Sequence, residues 1–198
     1  MMAAVTPKDS DSLVAAVSVF ERLSSPSTVR DSILNRLEDF RCAPEACERL
    51  KNARDWSGGN LLHHVASFGS NETAGFVPQL VGLGVDVNMP DRKGASPLFY
   101  AVSRREPCAN LIFAFMTAGA DPNAQSDQLG KSVLAAAILG RAPVDNLVAL
   151  LENPNTELPE EICLSSGLKM SLDELLEKTK YIGPEGQRLQ AVLAQKRK

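Results

Sequence analysis

Apolar residues in the first part of the chain recur at helical spacing. Leu13, Val17 and Phe20 lie four and then three positions apart, with Asp9 and Asp11 before them and Glu21 after. That spacing predicts an amphipathic helix, capped by Ser10 or Asp11 and broken at Ser25-Pro26-Ser27. Val29, Ile33, Leu37 and Phe40 predict a second helix from about Thr28 with one apolar face. Pro44 suits the first turn of a third helix, which carries Cys47 and Leu50. Residues 1–9, as a terminal segment, are expected to be flexible.

From Asp55 the pattern repeats over a longer distance. Asp55-Trp56-Ser57-Gly58, Asp91-Arg92-Lys93-Gly94 and Asp127-Gln128-Leu129-Gly130 place aspartates and glycines at 36-residue intervals. Four positions after each glycine stands a leucine: Leu62, Leu98 and Leu134. Each unit then carries two apolar helical stretches, in the second unit Pro97 to Arg104 and about Pro107 to Thr117. Pro107 and Pro143 sit where helices begin, and Pro78 means that its helix either starts near Phe76 or is kinked. The first two units close with Gly84-Val85-Asp86-Val87-Asn88 and Gly119-Ala120-Asp121-Pro122-Asn123. Gly119 follows its helix in the position that favours a left-handed glycine.

A period in this range predicts stacked supersecondary units rather than a single-core enzyme fold. The units span 55–90, 91–126 and 127–159. A stack exposes an apolar face at each end, so 10–54 reads as an N-terminal helical cap. Residues 160–198 read as a C-terminal helical cap or a degenerate fourth unit. There, Ser171 and Glu174 form a capping box, Gly183-Pro184 breaks the chain, and a last helix carries Leu189, Val192 and Leu193.

Composition adds exclusions. The 198 residues are 44% hydrophobic and 23% charged, which are globular values. A net charge of -3 implies neither a nucleic-acid nor a membrane partner. Cys42, Cys47, Cys108 and Cys163 make no CxxC pair and no pattern with the two histidines, so no zinc or other metal is expected. A domain of this size has no need of disulfides, and reduced thiols point to the cytoplasm. The run Leu13 to Phe20 lacks the basic start and the length of a signal peptide. No apolar run approaches the roughly 20 residues of a membrane span.

The repeated motifs resemble ankyrin repeats. The family pattern is D-x-x-G-x-T-P-L-H-x-A, two antiparallel helices, then G-A-D-x-N. Unit two fits best, with Asp91-Arg92-Lys93-Gly94-Ala95-Ser96-Pro97-Leu98-Phe99-Tyr100-Ala101 and the later Gly119-Ala120-Asp121-Pro122-Asn123. Unit one has Asn60-Leu61-Leu62-His63 in place of T-P-L-H; unit three has Ser132-Val133-Leu134-Ala135 and ends in Asn155-Thr156-Glu157. The units exceed the family's usual length of about 33 residues. The surplus falls between the two helices, most of all at Ser70-Asn71-Glu72. The fold implied is an all-α ankyrin-repeat solenoid of about three helix-turn-helix repeats with helical caps. Asn60, Ser96 and Ser132 would cap the first helices, and His63, on the family's TPLH histidine, would make structural hydrogen bonds between repeats.

The resemblance also implies a concave groove built from the turn tips and the exposed face of the first helices. Its turns would present Trp56, Arg92, Lys93, Gln128, Leu129 and Lys131, and its helices His64, Phe68, Tyr100 and Arg104, with Arg105 beside them. Trp, Tyr and Arg dominate binding hot spots. The basic cluster on unit two of an acidic protein suggests a partner protein with an acidic surface or peptide. The plainer alternative is that Trp56 packs on the N-terminal cap and the basic residues are simply solvated. Cys108, beside Pro107 at a helix start, is the thiol whose pKa such a position would lower, although a buried idle thiol is the simpler reading. Gly82-Leu83-Gly84 lacks the third glycine and the strand of a dinucleotide site. The expectation is therefore a non-enzymatic, monomeric interaction module without a cofactor, acting as adaptor, inhibitor or scaffold. The alternative on the same fold is a bacterial secreted effector or an immunity-type inhibitor.

Overall fold

The computed structural model describes residues 7–22, 26–41, 43–126, 131–163, 168–179, 181 and 183–197. Cys42 and the third turn, Asp127 to Gly130, lie outside the described residues, as do the side chains of Ser10 and Cys163.

The fold is mainly helical. Helix α1 (Pro7–Arg22) buries Leu13, Val17 and Phe20 as their spacing requires. It starts before Ser10, so Asp11 lies inside it rather than at its cap. Val29, Ile33, Leu37 and Phe40 are all buried, but no single helix carries them. They are shared by α2 (Pro26–Ser32), a 3-10 turn (Leu34–Arg36) and α3 (Leu37–Arg41). The break falls at Ile33, with φ -121° and ψ -61°. A 3-10 turn advances about three residues per turn, so Leu34 turns inward in line with Leu37 and Phe40. Helix α4 (Pro44–Asn52) starts at its proline and packs on α1, where Arg49 meets Glu21 at 3.0 Å.

Beyond Asp55 the helices come in pairs: α5 (Leu61–Phe68) with α6 (Phe76–Gly82), α7 (Pro97–Val102) with α8 (Ala109–Thr117), and α9 (Val133–Leu139) with α10 (Val144–Leu151). The first members pack side by side in one row and the second members in another. Helix α11 (Leu172–Thr179) extends the first row against α9, and α12 (Pro184–Lys196) extends the second against α10. At the other end α2 lies against α5. One apolar core runs from Leu13 to Leu193, and Leu62, Leu98 and Leu134 are buried in it.

Proline placement explains several starts. Helix α6 begins at Phe76, after a 3-10 turn (Asn71–Gly75), so Pro78 falls in its first turn and causes no kink. Asn60 Oδ1 accepts the N–H groups of Leu62 and His63 at 3.0 and 3.3 Å, and Ser132 Oγ accepts that of Ala135 at 3.3 Å. Ser96 Oγ makes no such bond; there Pro97 sets the first turn. Ser171 and Glu174 exchange the two bonds of a capping box at 2.9 and 3.2 Å.

Side-chain amides fasten each pair to the next. Asn88 donates to the Gly119 carbonyl at 3.0 Å and accepts the Asp121 N–H at 2.8 Å. Asn123 does the same with Asn155 and Glu157, both at 2.8 Å. Asn155 and Glu157 thus stand where Gly119 and Asp121 stand one unit earlier. On the far side, fully buried Asn146 accepts the Cys108 N–H at 2.8 Å and donates to the Glu106 carbonyl at 3.0 Å. Among the described residues no helix is long and apolar enough to cross a membrane.

Candidate functional site

Each described turn is organised by its aspartate. Asp55 Oδ1 accepts the N–H groups of Ser57 and Gly59 at 2.8 and 2.9 Å and the Ser57 hydroxyl at 2.6 Å. Its Oδ2 accepts His64 Nε2 at 2.8 Å. Asp91 Oδ1 accepts the N–H groups of Lys93 and Ala95 at 2.8 and 2.9 Å, and its Oδ2 accepts the Tyr100 hydroxyl at 2.6 Å. Gly58 and Gly94 close the turns at φ 82° and 76°, a region that glycine enters without strain. A Cβ on Gly58 would also lie 2.9 Å from Arg92 Cγ, so another residue there would have to push Arg92 aside. The Arg92 N–H donates to the Ser57 carbonyl at 3.0 Å, and the Ser126 hydroxyl donates to the Lys93 carbonyl at 2.6 Å.

These bonds set the electrostatics. Burial alone would raise the Asp55 pKa, but the bonds from Ser57, His64 and Gly59 outweigh it and hold the carboxyl below its ordinary 3.8. Burial pushes the Tyr100 hydroxyl far above its ordinary value, and its bond to Asp91 adds to that. His63 is fully used: Nδ1 accepts the Asn60 N–H at 3.0 Å and Nε2 donates to the Ala95 carbonyl at 3.1 Å. Burial lowers its pKa from 6.5, only partly offset by the Ala95 bond.

Trp56 and Phe68, 72% and 56% exposed, are on the rim of a cavity of about 270 Å³ that Asp55, His64, Asp91, Lys93 and Tyr100 also line. Arg92, Lys93 and Arg105 are exposed, and among the described residues they make no ion pair. Tyr100 and Lys131 are half-buried. Gln128 and Leu129 lie outside the described residues.

Two candidates turn out to be spent inside the protein. His64 is only 8% exposed, held by Asp55 on one side and by the ring of Phe20 at 5.0 Å on the other. Arg104 is covered because its guanidinium reaches back to α5, donating to the Ser67 carbonyl at 2.5 Å and pairing with Glu106. The last carbonyls of a helix lack partners and attract a cation. Cys108 is buried, its thiol donates to the Ala101 carbonyl at 3.3 Å, and burial raises its pKa, so the helix start confers no reactivity.

A second cavity, of about 280 Å³, was not anticipated. It lies between α2 and α5, lined by Val29, Arg30, Leu34, Val65, Phe68 and Thr73 among others. Sequence placed Val29 on a core face, and nothing in the pattern showed that this core edge opens beside Phe68. Among the described residues no three His, Cys, Asp or Glu side chains gather as a metal site would require. Comparison of the sequence with protein-family models and with curated proteins finds no match.

Proposed function

We propose that this chain is a non-enzymatic protein-binding module of ankyrin type. It binds a partner protein along the face formed by the turns at Asp55 and Asp91 and by helices α5 and α7. The observation that carries this reading is the recurrence of one aspartate-centred turn with the same backbone bonds at Asp55 and Asp91. Turns locked in one register hold Trp56, Arg92 and Lys93 in fixed relation, which lowers the ordering cost of binding. The partner presents carboxylates, because Arg92, Lys93 and Arg105 are exposed and make no ion pair among the described residues. The module acts as a monomeric adaptor, inhibitor or scaffold inside a cell. A catalytic role for His63 or Cys108 has little support, since the one is bonded at both nitrogens and the other is buried.

Affinity capture from lysate with the wild type and with Arg92→Glu/Lys93→Glu tests this. Both side chains are exposed, so circular dichroism should be unchanged. A protein retained by the wild type and lost from the variant is the expected result. Identical recovery on both would sink the proposed face.

A further inference from the structure

We infer that the cavity at the Asp55 turn is an aromatic cage for a methylated lysine side chain of the partner protein. This rests on the protein-binding reading above and deepens it, adding an enclosed cation to the carboxylates that meet Arg92 and Arg105.

The cavity is walled by rings. Trp56, Phe68, Tyr100, His63 and His64 all line it. In a chain with one tryptophan, two tyrosines and two histidines, that gathers most of the polar rings at one place. Three elements supply them: the turn gives Trp56, α5 gives His63, His64 and Phe68, and α7 gives Tyr100. The ring centres of His64 and Phe68 are 5.7 Å apart, and those of His63 and Tyr100 5.8 Å. Trp56 and Phe68 are exposed, so their ring surface is open to a ligand. Aromatic faces attract a cation held within about 6 Å of their centres, and clustered rings suit quaternary ammonium groups.

Charge favours the same occupant. The lining holds two carboxylates, Asp55 and Asp91, against one ammonium, Lys93. Both carboxylates are nearly buried, so salt and water screen them little. Lys93 is exposed and its charge is screened far more. Burial lowers the pKa of His63, so this ring stays uncharged at neutral pH and does not oppose a cation.

Hydrogen bonding then chooses among cations. A carboxylate has about four acceptor sites. Asp55 already accepts four bonds, two from Ser57 and one each from Gly59 and His64. Asp91 accepts three, from Lys93, Ala95 and Tyr100. The two acids therefore offer negative charge with almost no room for further donors. An unmodified lysine brings three N–H donors, and each one stripped of water and left unmet weakens binding. Methylation keeps the charge and removes donors. At about 270 Å³ the cavity is smaller than the roughly 300–1,000 Å³ of a drug-sized site, which suits one side-chain head.

The probe is trimethyllysine capped as its Nα-acetyl methylamide. It carries no carboxylate, so it reads the cage and not the basic turns. Trp56 is the only tryptophan and lines the cavity, so its fluorescence reports binding to the full chain. The probe should bind about tenfold more tightly than the same capped lysine without methyl groups. The same margin is expected over the uncharged isostere in which carbon replaces the quaternary nitrogen. Phe68→Ser should weaken the probe about tenfold, and Lys93→Gln should tighten it. Both side chains are exposed, so the melting temperature should not change. If the isostere binds as well as the probe, the cavity is merely apolar and the inference fails. It fails equally if unmethylated lysine binds as well, or if no ligand gives a saturable change in fluorescence. Choline binding more tightly than the probe would assign the cage to a free small molecule and overturn the side-chain occupant. None of these results touches the protein-binding reading, which stands or falls on capture with Arg92→Glu/Lys93→Glu.

Discussion

The turns at Asp55 and Asp91 are built alike and finished differently. In each, Oδ1 gathers the backbone of its own turn and Oδ2 reaches nine residues on, to His64 in one and Tyr100 in the other. Thirty-six residues separate Asp55 from Asp91 and His64 from Tyr100 alike. The position before each differs too. His63 ties unit one to the Ala95 carbonyl of unit two, whereas Phe99 holds that place in unit two and only packs. Unit one thus carries imidazoles where unit two carries a phenol and a phenyl ring. The difference follows from neighbours: His64 meets Phe20 of the N-terminal helices, and Tyr100 lies within the stack, its ring 5.8 Å from that of His63. The backbone demands an acceptor at the aspartate, but it leaves the donor free to vary.

The strongest way to break this comparison is to remove the aspartates. Asp55→Ala and Asp91→Ala should each cost about 3 kcal/mol in urea unfolding, because buried N–H groups at Gly59 and Ala95 lose their acceptor. Equal losses would mark the two turns as equivalent; a loss near zero at either would show that its turn forms without the carboxylate. The wild-type contribution of Asp55 has a sign that acid titration can check. Its folded pKa is depressed, so this stabilisation is present above about 3.8 and is lost as pH falls through the lower folded value.

A smaller effect separates the units by pH. His63 also has a depressed folded pKa, so its contribution is complete above 6.5 and shrinks as pH falls below that. His63→Phe, which copies unit two, should cost about 2 kcal/mol at neutral pH, since the Asn60 N–H and the Ala95 carbonyl lose a partner. It should also flatten the stability profile below pH 6.5, as followed by chemical denaturation at a series of pH values. An unchanged slope would place the titration elsewhere. Smallest is Tyr100→Phe, which removes one donor from Asp91 and should cost about 1 kcal/mol. Thermal unfolding that matches the wild type would show that the second bond of the hub is dispensable in unit two.

Much of this was legible in the chain. The spacing of Leu62, Leu98 and Leu134 determined which face of each unit is buried, because a helix turns its side chains through a fixed angle per residue. Gly119 announced a left-handed backbone after its helix, and Pro44, Pro97 and Ser171 marked helix starts within a residue or two. All of these depend on residues close in sequence, whose geometry is fixed by the local backbone. Tertiary structure decided what depends on distance. Helix α5 brings His64 and Phe68 to the cavity at the Asp55 turn. Only packing showed that His64 is consumed by Asp55 and pressed on Phe20, and that Arg104 folds back onto helix carbonyls 37 and 38 residues away. The break at Ile33 and the cavity beside Phe68 belong to the same class. A helical period says that a side chain leaves the surface of its helix, but what it meets there is set by the docking of another element.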